Sequence, residues 1–236
     1  MPRDIIILGF PKCGTTALMR GFEADDDIET LRTPGGALEI GWPLIRELAP
    51  ETGKELLAHK FTAYVYNREA LEYLAGANPD SILVLCIRDP EKVLISWRNM
   101  HRAIARSGKN PEHFAYKERD FYADCSIPDY YERFARRRLR YDMHFDNLRA
   151  IVPDSRIVVV SPERLAQDIE SVVTYIKALA RGEAAQLAAP AVTAKAHKGF
   201  ADTAQNVLPV AIRNELKRGR NNLSAAIEES NVRACL

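Results

Sequence analysis

Near the N-terminus, glycine, lysine and threonine stand in a spacing suited to holding phosphate. In "IIILGFPKCGTTAL", Ile5 to Leu18, Gly9 and Gly14 keep the separation of the G-x-x-x-x-G-K-[ST] loop, and Thr16 fills its hydroxyl position. Thr15 stands where that pattern has its lysine; the loop's own lysine is Lys12. In nucleotide triphosphatases the usual lysine lies along the β- and γ-phosphates beside a metal ion. A lysine at the crown of the loop instead faces outward, toward a group being transferred across its mouth. The glycines are expected to be kept because a phosphate still needs backbone amides. A second set of residues follows the apolar run "ILVLCI": Arg88, Asp89 and Pro90, with Ser96 two helical turns on. Arginine offers a planar fork for a phosphate, and serine adds a hydroxyl donor. The strand ends in Arg88 where a metal-binding aspartate would be expected, so these residues read as metal-free anion transfer balanced by lysine and arginine.

Both sets need a scaffold that delivers them at strand ends. Short β-rich runs alternate with longer helical patterns, which predicts βαβ units, an α/β fold and a central parallel sheet flanked by helices. Strands are expected at Ile5–Leu8, Leu56–Phe61, Ile82–Ile87 and Arg156–Val160. The runs "ILVLCI" and "RIVVV" are continuously apolar, as strands covered on both faces are. Helices are expected at Thr15–Glu23, Arg68–Gly76, Pro90–Arg106, Pro128–Ala150 and Pro162–Ala180, with a broken closing helix in "LPVAIRNELKRGRNNLSAAIEES". Asp89-Pro90 and Ser161-Pro162 each place a capping side chain before a proline at the first helical position. Ser126 and Asn67 are further caps. Polar loops are expected at Ala24–Gly41, Ser107–Cys125 and Arg181–Asn206, the last serving as a lid.

Length and charge narrow the function classes. A chain of 236 residues suits one α/β domain, 1–236, and no repeat or linker divides it. With 33 basic and 32 acidic residues there is no global field to draw nucleic acid or an anionic membrane. No apolar run approaches the ~20 residues of a membrane span. "MPRDIIILGF" reads as a first strand rather than a signal peptide. Cys13, Cys86, Cys125 and Cys235 show no C-x-x-C pair and no metal spacing, so reduced thiols in a cytoplasmic compartment are expected.

Taken together, the two motifs make the chain resemble the sulfotransferases that use 3′-phosphoadenosine 5′-phosphosulfate (PAPS). Their 5′-phosphosulfate loop, P-K-x-G-T-T/S, is matched by Pro11, Lys12, Cys13, Gly14, Thr15 and Thr16. Their 3′-phosphate motif, R-[DN]-P with a serine six residues after the proline, is matched by Arg88, Asp89, Pro90 and Ser96. The stretch "HKFTAYVYNREALEYL" resembles the E-K-[TS]-P-x-Y region of Golgi-type glycan sulfotransferases. "RLRYDMHFDNLRAIVPDSRIVVVSPERLAQD" and "VLPVAIRNELKRGRNNLSAAI" are similar to their later segments, so the likeness is closer to Golgi-type and bacterial glycan enzymes than to cytosolic ones.

The resemblance implies a P-loop-like nucleotide-binding fold and transfer of a sulfuryl group from PAPS to a hydroxyl or amine, leaving adenosine 3′,5′-bisphosphate. Lys12 would neutralise charge on the leaving phosphate oxygen, Thr15 and Thr16 with the loop amides would hold the 5′-phosphosulfate, and Arg88 and Ser96 the 3′-phosphate. The Cys13 position is variable in the family, so its thiol is read as incidental. The acceptor's proton needs a general base. His59, ending "LLAHK", stands near the histidine of the cytosolic enzymes, and Glu39 lies in the loop where glycan enzymes supply a glutamate. Both stay candidates, with His59 favoured and Lys60 as a further acceptor or sulfate contact. In "KAHKGF", Lys195, His197 and Lys198 fall where the family closes over its nucleotide, and Lys198 is taken as the cofactor contact. The run Arg133 to Arg140 reads first as a solvated helix face. The acceptor class is a small molecule or glycan, with no nucleic-acid partner. Two other functions remain open: a P-loop nucleotide or metabolite kinase with an atypical loop, and a non-catalytic nucleotide-binding module.

Overall fold

Four strands carry the apolar runs, and their side chains are buried on both faces. A computed structural model describes residues 3–32, 54–107, 113–183 and 208–235. The strands are β1 (Arg3–Gly9), β2 (Ile28–Thr30), β3 (Leu56–Lys60), β4 (Ile82–Cys86), β5 (Ile157–Val160) and β6 (Arg233–Cys235). They pair in parallel in the order β2-β3-β1-β4-β5-β6. β1 therefore lies between β3 and β4, and the direction of winding reverses at its carboxyl end. Ligands of open parallel sheets bind at such a switch point. The α/β reading, with a helix-flanked parallel sheet, holds.

The chain divides into two units. One joins Met1–Ile87, His144–His197 and Ala226–Leu236 and contains the sheet; the other joins Arg88–Met143 and Lys198–Ala225. In the first, helix α1 (Thr15–Glu23) buries Leu18, Met19 and Phe22. The helix Ile169–Arg181 likewise buries Val172, Ile176 and Leu179. In the second, the helix Pro90–Ser107 is the longest element before the closing helix.

Several elements differ from expectation for identifiable reasons. The edge strands β2 and β6, three residues each, carry too little periodicity to be read and exist through their parallel pairing with β3 and β5. Residues 114–117 and 119–122 form two short helices where a loop was expected. Arg98 and Arg102, on the Pro90–Ser107 helix, hold the segment after them, donating to the carbonyls of Cys125 (2.9 Å) and Ala123 (3.2 Å). The helix expected over Pro128–Ala150 is interrupted. A π turn at Tyr131–Ala135 closes with Arg136 N–H on the Tyr131 carbonyl (2.8 Å). Beyond it, the Arg138 guanidinium takes the Phe134 carbonyl (2.7 Å) that a continuing helix would use, and a helix resumes at Tyr141–Arg149. The expected Pro162–Ala180 helix breaks at Asp168, whose carboxylate caps the next helix by accepting from Ser171 N–H (3.0 Å). The closing helix, Val210–Glu228, is unbroken through Gly219, where an added Cβ would find its nearest neighbour at 3.7 Å.

Candidate active site

The loop after β1 is shaped by two close approaches. Gly9 (φ 122°) pairs with Cys86, and a Cβ there would lie 2.6 Å from the Cys86 carbonyl oxygen. The first glycine is thus required by the neighbouring strand, which corrects the expectation that phosphate alone explains it. Gly14 enters α1 in the left-handed region (φ 85°), with Pro162 and Leu165 packed 3.3 Å from where a Cβ would sit. Between the glycines, Cys13 N–H donates to the Phe10 carbonyl (3.2 Å), so Pro11 and Lys12 form the tip of a turn. Phe10 anchors the turn from inside, fully buried against the rings of Tyr66 and His144, each 5.9 Å away.

Lys12 is exposed at the tip with φ 70°, and among the described residues no other non-glycine residue has a positive φ. That backbone costs a side-chain-bearing residue about 1 kcal/mol, and such strain tends to collect at functional sites. α1 opens with no side-chain cap and no acidic residue in its first turn. Its ladder begins with Leu18 N–H on the Gly14 carbonyl (3.0 Å), so the N–H groups of Thr15, Thr16 and Ala17 lie ahead of it, on the positive end of the helix dipole. A second cation reaches the same point. Lys60, at the end of β3 and 4% exposed, donates from Nζ to Thr16 Oγ1 at 3.1 Å. Lys12, Lys60 and a first helical turn without an acidic residue put positive charge and helix N–H groups at one loop, an arrangement with the chemistry to receive an anion.

His59 is placed otherwise. Side chains alternate along a strand, so His59 faces away from the side on which Lys60 meets Thr16. Its imidazole is fully buried, with Nε2 3.8 Å from Asp4 Oδ2 on the adjoining strand. A general base must come within hydrogen-bond reach of its substrate; His59 meets Asp4 instead.

The second set of residues belongs to the other unit. Asp89 Oδ1 accepts from Glu91 N–H (2.9 Å), and its carbonyl from Val93 N–H (3.0 Å), the cap expected from the sequence. Arg88 and Ser96 are half-buried, Ser96 seven residues beyond the cap and hence on the same helix face. The closing helix brings two arginines that sequence reading missed: Arg220 Nη1 donates to Asp89 Oδ2 (3.0 Å), and Arg213 Nε lies 3.5 Å from Glu91 Oε2. Their seven-residue spacing was legible, but not what they meet.

No family model and no curated protein matches the sequence. Solved structures do match in three dimensions, two sulfotransferases among them. A sulfotransferase from Alicyclobacillus acidocaldarius aligns with a TM-score of 0.60 and 18% identity over 97% of this chain and 96% of that one. Mouse sulfotransferase SULT7A1 complexed with PAP aligns with a TM-score of 0.51 and 16% identity over 97% of this chain and 86% of that one. The fold is that of the sulfotransferases.

Within this sulfotransferase fold, Pro11, Lys12, Cys13, Gly14, Thr15 and Thr16 are gathered in one loop, with Cys13 fully buried beneath it. Glu39, Lys195, His197 and Lys198 lie outside the described residues. The basic run is stapled rather than bare. Arg133 pairs with Glu118, Arg136 with Glu132 and Glu215, and Arg140 with Asp142, while Arg138 stacks 4.1 Å from the Phe134 ring. Among the described residues no three His, Cys, Asp or Glu side chains gather as a metal site. None of the described helices is long and apolar enough to cross a membrane.

Proposed function

We propose that the chain transfers a sulfuryl group from PAPS to a hydroxyl, less readily an amine, of a carbohydrate or small hydroxylated metabolite. One observation carries the reading: Lys12 is held outward at the tip of a phosphate-type loop, while Lys60 occupies Thr16 at an acid-free helix start. A triphosphatase lysine would lie within the loop along the phosphates; here the two cations divide the work. The loop amides, Thr15, Thr16 and Lys60 bind the 5′-phosphosulfate, and Lys12 meets the oxygen that becomes the leaving phosphate. Arg88 and Ser96 bind the 3′-phosphate. PAP, named in the SULT7A1 structure, is the adenosine 3′,5′-bisphosphate that PAPS leaves behind, which supports the same co-substrate. Residues 1–236 serve as one transferase, acting in the cytoplasm.

The reaction is an in-line displacement. The acceptor oxygen attacks sulfur, the bond from sulfur to the bridging phosphate oxygen breaks, and the hydroxyl proton passes to a base. We assign that base to Glu39, because His59 is enclosed beside Asp4, and Lys198 to the nucleotide. Positioning and electrostatics supply the rate.

The test is transfer of labelled sulfuryl from PAPS to a panel of sugars, phenols and amines. Lys12→Ala is expected to lower kcat by roughly 10²–10³ with folding intact, the scale of losing one charge-stabilising group. Undiminished transfer by Lys12→Ala would remove the loop from the mechanism.

A further inference from the structure

The helix assigned to the 3′-phosphate carries two carboxylates at the end where an anion is to bind. Asp89 caps it, and Glu91 stands in its first turn. The helix dipole favours both acids, but each repels a phosphate brought to Arg88. The closing helix answers both from one face, since Arg213 and Arg220 are two turns apart. Arg220 Nη1 donates to Asp89 Oδ2 at 3.0 Å, and Arg213 Nε lies 3.5 Å from Glu91 Oε2. The oxygens of Asp89 are thereby divided, Oδ1 to the helix N–H of Glu91 and Oδ2 to Arg220. All these residues belong to the second unit. The Arg220 side chain is 44% exposed, so its pair adds little to folding, and its effect on a ligand is separable from stability.

We propose that Arg220 is a positioning residue for nucleotide selection. By neutralising Asp89 it allows the Arg88-Asp89-Pro90 turn to accept a 3′-phosphate. The cap has to be a hydrogen-bond acceptor, but its charge is unwanted once an anion binds beside it. Arg220 keeps the acceptor and cancels the charge, and Arg213 does the same for Glu91. The ligand class is an adenosine nucleotide phosphorylated at both 3′ and 5′ positions, so the inference rests on the sulfotransferase reading.

Titration of the full chain with PAP and with adenosine 5′-phosphate isolates the 3′-phosphate, the single group by which they differ. Arg220→Gln is expected to weaken PAP about tenfold, the order of one near charge pair at a protein surface, while changing adenosine 5′-phosphate less than about twofold. Arg220→Lys should keep most of the PAP affinity. Asp89→Asn combined with Arg220→Gln should restore it to within about threefold, because asparagine still caps a helix. Equal losses for both nucleotides, unchanged PAP binding, or a double variant as weak as Arg220→Gln would each overturn the proposal. A melting curve for each variant identifies any that has not folded, and Arg220→Lys then carries the test. If the native chain binds no PAP, the sulfotransferase reading itself falls.

Discussion

Lys12 joins the proposed chemistry to a conformational cost. A lysine at φ 70° is held where glycine would rest more easily. Lys12→Gly is therefore expected to raise stability by about 0.5–1 kcal/mol, or a few degrees of melting temperature, while losing sulfuryl transfer. A variant both less stable and still active would show the backbone to be unstrained and the side chain idle. The base assignment is also decided at this scale. His59→Ala opens a cavity in the sheet and leaves Asp4 buried, so a loss of about 2–4 kcal/mol is expected with kcat within about threefold. Glu39→Gln should cost at least about 100-fold in kcat with stability unchanged. The opposite pattern, measured by steady-state rates and denaturant melts, would return the role to His59.

Among the elements, the Pro90–Ser107 helix is held by an aromatic cluster around a histidine. His101 is buried, with Nδ1 2.9 Å from the Tyr130 hydroxyl and ring contacts to Trp97, Phe114, Tyr122 and Phe134. Burial first, then nearby His113 and Arg138, pushes its pKa from 6.5 down to about 3. The folded state therefore holds a neutral imidazole that the unfolded chain protonates. Its contribution to stability is full above pH 6.5 and is lost as pH falls from 6.5 toward about 3. In denaturant melts across pH, the His101 contribution to the unfolding free energy should be flat above neutrality and decline below pH 6.5, at up to about 1.4 kcal/mol per pH unit for one proton. His101→Phe should flatten most of that slope; a slope unchanged in the variant would place the titration elsewhere. The π turn at Tyr131–Ala135 is a local feature that no glycine or proline marks, and just beyond it the Arg138 guanidinium takes the Phe134 carbonyl four residues back.

For the whole molecule, ligand linkage gives the broadest test. A ligand at 100 times its dissociation constant stabilises the native state by about 2.7 kcal/mol. For a chain of this size that is about 5–10 °C in melting temperature. PAP is expected to produce such a shift, and adenosine 5′-phosphate a smaller one. Stabilisation by ATP with magnesium and none by PAP would favour a kinase over a sulfotransferase. Binding of PAP with no transfer to any acceptor would instead describe a nucleotide-binding module.

The sequence by itself determined the layered α/β plan, because continuous apolar runs alternating with capped helices leave few other ways to bury strands. It also determined which residues cluster within one turn of chain. Pro11 to Thr16 and Arg88 to Ser96 are local motifs, and their caps and turns form from neighbours in sequence. Tertiary structure alone decided what these motifs meet. Gly9 is required by the carbonyl of Cys86, Lys60 arrives at Thr16 from 44 residues away, and Arg220 reaches Asp89 across 131. The same holds for His59, adjacent to Lys60 in sequence yet turned to the opposite face by the alternation of its strand. Such pairings depend on strand order and helix docking, which no local spacing encodes.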